Sequence, residues 1–416
     1  MNLQSYVCGH WQSGDGEGVA MRDATTGELI ALATSSGVDF AAVLEFSRGR
    51  GGPALRALTF HQRATMLRAL AKKLTELKEE FYTLSYRTGA TKNDALIDID
   101  GGIGTVFAFA SKGSKELPNS HVYVDGDVEG LSKGGTFVGQ HLYVSREGAA
   151  IHINAFNFPV WGMLEKLAPT LLAGMPAIVK PATATAYLTE LLVRRIIDSK
   201  ILPEGALQLV CGSLGDLFDQ LNCQDTVSFT GSAHTAERLR THSAIVRHAV
   251  PFIAETDSLN SSILGMDARP GTPEFDLFIK EVAREMTVKT GQKCTAIRKA
   301  LVPASATGEV VAALQAALQK VVVGDPRAEG VRMGPLVSQE QRTDVLERVE
   351  ELHREAELVV GDLGRFEVKD ADRERGAFVP PLLLLCNDIK GARAVDRKST
   401  RLNSSHQHRS RMPSSA

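Results

Sequence analysis

The sequence predicts an α/β protein built on a doubly wound, mostly parallel sheet, followed by a second α/β unit. Three observations carry this reading. Between residue 149 and about residue 255, short apolar runs alternate with helical patterns. The 416 residues suffice for two substantial cores. The balance of 43% hydrophobic and 23% charged residues fits a globular chain.

The elements follow in order. Residues 62–84 place Met66, Leu67, Leu70, Leu74, Leu77, Phe81 and Leu84 at three- and four-residue spacing, which predicts an amphipathic helix with a solvated Lys/Glu face. GAAIHINAF (148–156) reads as a strand and PVWGMLEKLAPTLLAG (159–174) as a helix ending in glycine. MPAIVKPA (175–182) is a second short strand. YLTELLVRRIIDSKI (187–201) is a helix whose exit Pro203 and Gly205 punctuate. ALQLVCG, DTVSFTG and PFIAET continue the strand series. DLFIKEVAREMTVKTG (276–291) reads as a helix entering a glycine turn, and residues 307–320 as a further helix. Residues 328–380 are charged and weakly patterned, and no internal repeat is visible.

The formal net charge of −2 advertises no nucleic-acid partner. Five widely spaced cysteines without a CxxC pair argue against a disulfide framework and against a cysteine-cluster metal site. The histidines form no HExxH, so no metal is expected. The N-terminus lacks an apolar secretion core, and runs such as PPLLLLC (380–386) are too short to span a bilayer, so a cytoplasmic protein without membrane contact is expected. Residues 396–416 are basic, serine-rich and almost free of apolar side chains. They read as a non-native tail with no part in a core.

Several residues are able to carry chemistry. Cys294, in GQKCTA, follows a glycine turn; it is either a nucleophile or an inert packed thiol. Glu255 ends the apolar strand PFIA, as a general base facing a cleft or as an ordinary surface carboxylate. Asn157, in NAFNFP, is an oxyanion donor or a turn residue beside proline. Gly231 and Ser232 close SFTGS, where a strand–glycine–helix junction presents N–H groups to a pyrophosphate or makes a plain turn. Lys180, in IVKPA, contacts a cofactor or simply ends a strand.

Taken together, INAFNFP, IVKPATATA, SFTGS, the Glu-bearing IAETDSLNS and GQKCTA occur in the order that resembles the aldehyde dehydrogenase superfamily, over nearly all of residues 1–395. The resemblance implies a Rossmann-like parallel-sheet cofactor domain within residues 1–255 and a thiol-bearing α/β catalytic domain over 256–395, incomplete at the C-terminus. It implies Cys294 as the attacking thiol, Asn157 and the Cys294 N–H as oxyanion donors, and Glu255 as the base that activates water. Lys180 would hold the adenosine ribose or its phosphate, with Gly231 and Ser232 near the pyrophosphate. Many NAD-preferring relatives carry a glutamate where Thr183 stands; its absence removes repulsion against a 2′-phosphate, which implies NADP, with NAD possible.

DIDGGIGT, EVAREMTVKTGQKCTAIRK and VVVGDPRAEGVRMGPLV further resemble the dehydrogenase part of the bifunctional ring-opening enzymes of aerobic phenylacetate degradation. That resemblance implies a CoA-linked semialdehyde as substrate, namely 3-oxo-5,6-dehydrosuberyl-CoA semialdehyde, and a full-length homo-oligomeric parent with a hydratase domain not found in this chain. The neighbouring pattern is the 3,4-dehydroadipyl-CoA semialdehyde dehydrogenase of benzoate degradation. The different-class alternative is a noncatalytic nucleotide-binding relative or an inactive fragment. ETDSLN replaces the usual Glu–Leu–Gly–Gly, and the later Glu-x-Phe-Gly-Pro segment of the family is not in the sequence.

Overall fold

The computed structural model describes residues 2–387; the basic tail expected at 396–416 lies outside them. A seven-stranded sheet organises the chain. Its strands are β1 (Gln4–Val7), β2 (His10–Ser13), β3 (Ala150–Ile153), β4 (Ala177–Lys180), β5 (Leu207–Leu209), β6 (Thr226–Thr230) and β7 (Phe252–Glu255). Their order is β7-β6-β3-β4-β5-β1-β2, parallel from β7 to β5, with β1 antiparallel to β5 and to β2. The chain steps from β3 to β4 and β5, then returns to the other side of β3 to build β6 and β7. The switch therefore lies between β3 and β6, where sheets of this kind open a crevice at their carboxyl ends.

Helices cover the sheet because each has one apolar stripe to bury. Helix α1 (Phe60–Ser85) starts at a reciprocal cap in which the Gln62 N–H donates to Thr59 Oγ1 and the Thr59 N–H to Gln62 Oε1. It packs with α2 (Lys92–Lys115), α3 (Trp161–Leu172) and α4 (Ala186–Asp198) on one face of the sheet, around Leu70, Leu74, Ile99, Leu164 and Leu192. Burying each such leucine contributes roughly 1.5–3 kcal/mol. The opposite face holds Ile151, Ile178, Val227 and Phe229 against α5 (Ala233–Arg240) and its surroundings. Beyond the sheet, a parallel pair, β8 (Asn260–Ile263) and β9 (Ile297–Leu301), lies with α6 (Pro273–Thr287) and α7 (Thr307–Leu318) around a separate core of Phe275, Phe278, Val310 and Leu314.

The expected strands and helices of residues 148–256 form within a few residues of their anticipated ends. Besides short helical turns such as Phe40–Phe46, Gly52–Arg56 and Ser243–Arg247, two longer helices were not anticipated. One is α2, whose four glycines weaken the helical pattern; a Thr91–Asp94 reciprocal cap and the apolar series Ile99, Ile103, Val106 secure it. The other is α8 (Gln339–His353), capped by Ser338, whose charged face masks the buried Val345 and Val349. Among the described residues, no helix is long and apolar enough to cross a membrane.

Register fixes which side chains share a face. His152 pairs with Ser228, opposite the face of Ile151 and Val227. His152 is buried against α3, its Nε2 3.1 Å from Thr170 Oγ1. Burial, helped by the Lys166 charge, pushes its pKa down to about 3. A histidine that stays neutral when folded but protonates near pH 6.5 when unfolded makes the unfolded chain the better proton binder between those values. Stability is therefore full above about pH 6.5 and falls as pH drops toward 3. By pH 5 the loss from this group should reach about 2 kcal/mol. Urea unfolding at pH 7 and pH 5 should show a distinctly smaller difference in His152→Gln than in the unsubstituted chain.

Candidate active site

The candidate residues are set by strand ends and by one strained loop. Glu255 is the last residue of β7 and lies exposed beside Thr230 in the parallel register. Cys294 is half-buried at the end of the loop that leaves α6. In that loop Lys289, Thr290 and Gly291 take successive positive φ values of 51°, 54° and 68°. Gly291 tolerates this freely; Lys289 and the β-branched Thr290 do not.

The loop is held at nearly every residue. The Lys289 N–H donates to Asp94 Oδ1 at 2.8 Å, and the Thr290 hydroxyl to the Gly334 carbonyl at 2.8 Å. Gln292 donates to the Lys289 carbonyl and accepts from the Val337 N–H. Arg298 Nη2 donates to the carbonyls of Gly291 and Lys293, at 2.8 and 3.1 Å. Lys293 and Glu285 form a buried ion pair at 2.7 Å. The Cys294 carbonyl accepts from the Asn260 amide at 2.6 Å and from the Ser258 hydroxyl. The DSLN segment after Glu255 therefore anchors the backbone of the thiol.

Two glutamates face that thiol. The Glu255 carboxylate acts on the Cys294 thiol, and the Glu165 charge on α3 adds a second, smaller effect. Burial, then these carboxylates, push the Cys294 thiol above its ordinary value, opposed by its own backbone N–H. The surroundings therefore do not supply the positive charge or helix N-terminus that would favour a resting thiolate; they supply a proton acceptor. Burial also raises Glu165, with Glu255 and Asp98 adding to the effect and Lys166, 3.4 Å away, opposing it.

Asn157 is half-buried in the segment between β3 and α3. With Phe156, Lys289 and Gln292 it lines a cavity of about 20 Å³. The structure thus brings Asn157 against the loop that carries Cys294. Lys180 ends β4, and its carbonyl accepts from the Asn154 N–H at 3.0 Å. Burial lowers its ammonium pKa. Thr183 opens the short turn Thr183–Thr185 before α4. Ser232 caps α5, accepting from the Thr235 N–H at 3.2 Å. The Gly231 N–H is already taken by the Glu255 carbonyl at 3.1 Å, so phosphate donors here would come from the start of α5.

Sequence reasoning missed Glu165, Lys166, Asp94 and Asp98. Their link to the site has no local pattern; they reach it through the packing of α2 and α3.

Residues 11–390 match the aldehyde dehydrogenase family. The chain belongs to that family. It is 48% identical over 396 residues to the 3,4-dehydroadipyl-CoA semialdehyde dehydrogenase of Aromatoleum evansii, covering 95% of this chain and 77% of that one. The crystal structure of betaine aldehyde dehydrogenase from Staphylococcus aureus in complex with NAD+ superposes with a TM-score of 0.82 at 21% identity, covering 97% of this chain and 77% of that one. An NADP-dependent enzyme of E. coli superposes with a TM-score of 0.81 at 22% identity, over 96% and 79% of the two chains. The expected fold and the expected class, an NAD(P)-dependent aldehyde dehydrogenase, agree with this membership.

The electrostatics give a direct test. Glu255→Gln removes one charge and the acceptor that holds the Cys294 proton, so the thiol pKa should fall. Peptide-resolved alkylation of Cys294 by iodoacetamide at pH 7.5 should accelerate roughly threefold to tenfold, because one pKa unit changes the thiolate fraction about tenfold. An unchanged rate would show that Glu255 does not raise the thiol.

Proposed function

We propose that this aldehyde dehydrogenase oxidises a CoA-linked semialdehyde of the 3,4-dehydroadipyl type to its acid, with NADP as the preferred acceptor and NAD as a possible one. The observation that carries the reading is the half-buried Cys294 thiol with the Glu255 charge acting on it, at the end of a loop whose Lys289 and Gln292 meet Asn157 in one cavity. Of the two substrate readings open from the sequence, the 48% identical relative favours the benzoate-type semialdehyde over the phenylacetate-type one.

The chemistry follows from the positions. Glu255 takes the Cys294 proton, and the sulfur adds to the aldehyde carbon, forming the C–S bond of a thiohemiacetal. The Asn157 amide and the Cys294 N–H stabilise the oxyanion. A nicotinamide dinucleotide held by Lys180, Ser232 and the start of α5 would supply the acceptor for the hydride that leaves this carbon, and Cys294 then carries a thioester. Glu255 releases the first proton to solvent and then removes a proton from water as it attacks the thioester; the C–S bond breaks, the carboxylic acid leaves, and Glu255 returns that second proton to the Cys294 sulfur.

Residues at the other face fit the dinucleotide. Among the described residues, no carboxylate lies within ion-pair distance of the half-buried Lys180 ammonium, which leaves it available for ribose hydroxyls or a phosphate. Ser232 and the start of α5 suit the pyrophosphate, and Thr183 places no charge against a 2′-phosphate. We assign cofactor binding to residues 1–255 and the thiol to 256–395. A homo-oligomer fits the exposed hairpin Val122–Gly130 and Val138–Val144, which presents Val124, Phe137, Leu142 and Val144 to solvent.

Turnover of the CoA-linked semialdehyde should give a higher kcat/KM with NADP than with NAD, and Cys294→Ser should abolish it. Thr183→Glu should lower kcat/KM for NADP at least about tenfold while sparing NAD, through charge repulsion with the 2′-phosphate. Equal losses with both cofactors would remove Thr183 from the specificity argument. Preference for a plain aliphatic aldehyde over the CoA-linked one would overturn the substrate assignment.

A further inference from the structure

The motif DIDGGIGT is not accounted for by the chemistry above, yet it sits at the centre of α2 and touches both halves of the site. Asp98 is buried, and its carboxylate receives the Trp161 N–H at 2.8 Å and the Val160 N–H at 3.4 Å. Those are the first N–H groups of α3, whose own N-cap residue, Val160, offers no side-chain acceptor. Asp98 therefore caps α3 from another helix, where a carboxylate also meets the positive end of the helix dipole. Gly101 and Gly102 make the approach possible: a Cβ at Gly101 would lie 2.8 Å from the Trp161 ring, and one at Gly102 2.9 Å from the Trp161 Cα.

Asp94 lies one turn earlier on the same face of α2 and is also buried. Its Oδ2 is occupied by the N–H and hydroxyl of Thr91, and its Oδ1 receives the Lys289 N–H at 2.8 Å. Lys289 is the first left-handed residue of the thiol loop. Its ammonium lies 4.5 Å from the centre of the Phe158 ring, next to Asn157 in the chain, and its charge acts on Asp98. One helix face thus holds the start of the thiol loop through Asp94 and the end of the Asn157 segment through Asp98, while Lys289 closes the triangle between them.

We propose that Asp94 and Asp98 are positioning residues that set the Asn157 amide against the Cys294 thiol. This rests on the roles given to Cys294 and Asn157 above. Neither aspartate reaches the reacting atoms in this scheme. Each acts through the backbone of the segment it holds, so its effect must pass through Asn157 or through the thiol loop. A purely structural role would lower stability without regard to whether Asn157 is present.

The test is acylation of the purified chain by p-nitrophenyl acetate, which requires only the thiol and the oxyanion donors. The sulfur attacks the ester carbonyl, the C–O bond breaks, and p-nitrophenolate leaves in a burst whose rate is read directly. Asp98→Asn, Asn157→Ala and their combination are compared, with Asp100→Asn as a control; Asp100 is on the same helix but is engaged by Lys78 and Tyr82. Asp98→Asn should slow the burst roughly tenfold and Asn157→Ala roughly a hundredfold, the range for one oxyanion donor. The double variant should be no slower than Asn157→Ala by more than about twofold, the non-additivity of residues that act through one another. Asp94→Asn should slow the burst as well, and Asp100→Asn should not.

A wild-type burst rate in Asp98→Asn overturns the proposal. So does a double variant slower than Asn157→Ala by the full factor that Asp98→Asn costs alone. A burst that persists in Cys294→Ser, or is unaffected by Asn157→Ala, overturns the underlying site assignment instead, and the absence of a burst from the unsubstituted chain does the same.

Discussion

The site depends on a stretch of backbone that is held in a conformation its residues do not favour. Lys289 and Thr290 sit in the left-handed region immediately before Gly291, five and four residues ahead of the candidate thiol. Left-handed geometry costs non-glycine residues about 1–2 kcal/mol each, and a β-branched side chain adds to that. Such a loop persists only where its surroundings over-determine it. Here Asp94, Gly334, Val337, Arg298 and Asn260 all bond to it or to the carbonyls just beyond it. The position of Cys294 thus depends on tertiary contacts from α2, β8, β9 and the chain before α8, added to bonds within the loop such as that from Gln292 to the Lys289 carbonyl.

The same contacts decide the electrostatics. Burial and two facing carboxylates hold the thiol proton at rest. A thiol that is protonated beside its own base is poorly reactive until the proton is transferred, which limits stray oxidation and alkylation. Lys166 partly offsets the carboxylates; its ammonium lies 3.2 Å from the Gly162 carbonyl and 3.4 Å from Glu165. Carboxylates gathered on one side of a half-buried thiol raise its pKa together, so substitution of either glutamate should be felt at the sulfur.

Much of this was legible in the sequence, and the rest was not for definable reasons. β3, β4, β6 and β7 are short apolar runs bounded by turn residues, and the candidate residues stand at or just beyond their carboxyl ends, so the places of Glu255, Lys180, Asn157, Gly231 and Ser232 followed from strand position. Cys294 was marked by its motif. Helix α2 was hidden because Gly101, Gly102 and Gly104 lower helical propensity by about 1 kcal/mol each and interrupt the apolar stripe. Gly101 and Gly102 are needed where Trp161 packs against the helix, whereas a Cβ at Gly104 would meet open space. Helix α8 was hidden by its charge. Asp94 reads locally as a helix cap with Thr91 and Asp98 as part of DIDGGIGT, but their links to the site are to N–H groups 62 to 195 residues away along the chain and leave no sequence pattern.

Strand parity then divides the work of the site between the two faces of the sheet. Phe252 and Ala254 of β7 point to the core shared by Ile151, Val227 and Phe229, and the Phe229 and Phe252 rings stack at 6.5 Å. Glu255 must therefore point the other way, to the face that carries His152 and α3, where Glu165 and Lys166 lie. Lys180 pairs with Ile153 and so belongs to the opposite face, with α5 and Ser232. A one-residue slip of β7 would move Glu255 away from Cys294 and place it among the groups assigned to the dinucleotide. The candidate acid–base residues and the groups proposed for the cofactor are thus kept on separate faces by the alternation of a few strand residues, and the two faces come together at the carboxyl edge, between β3 and β6.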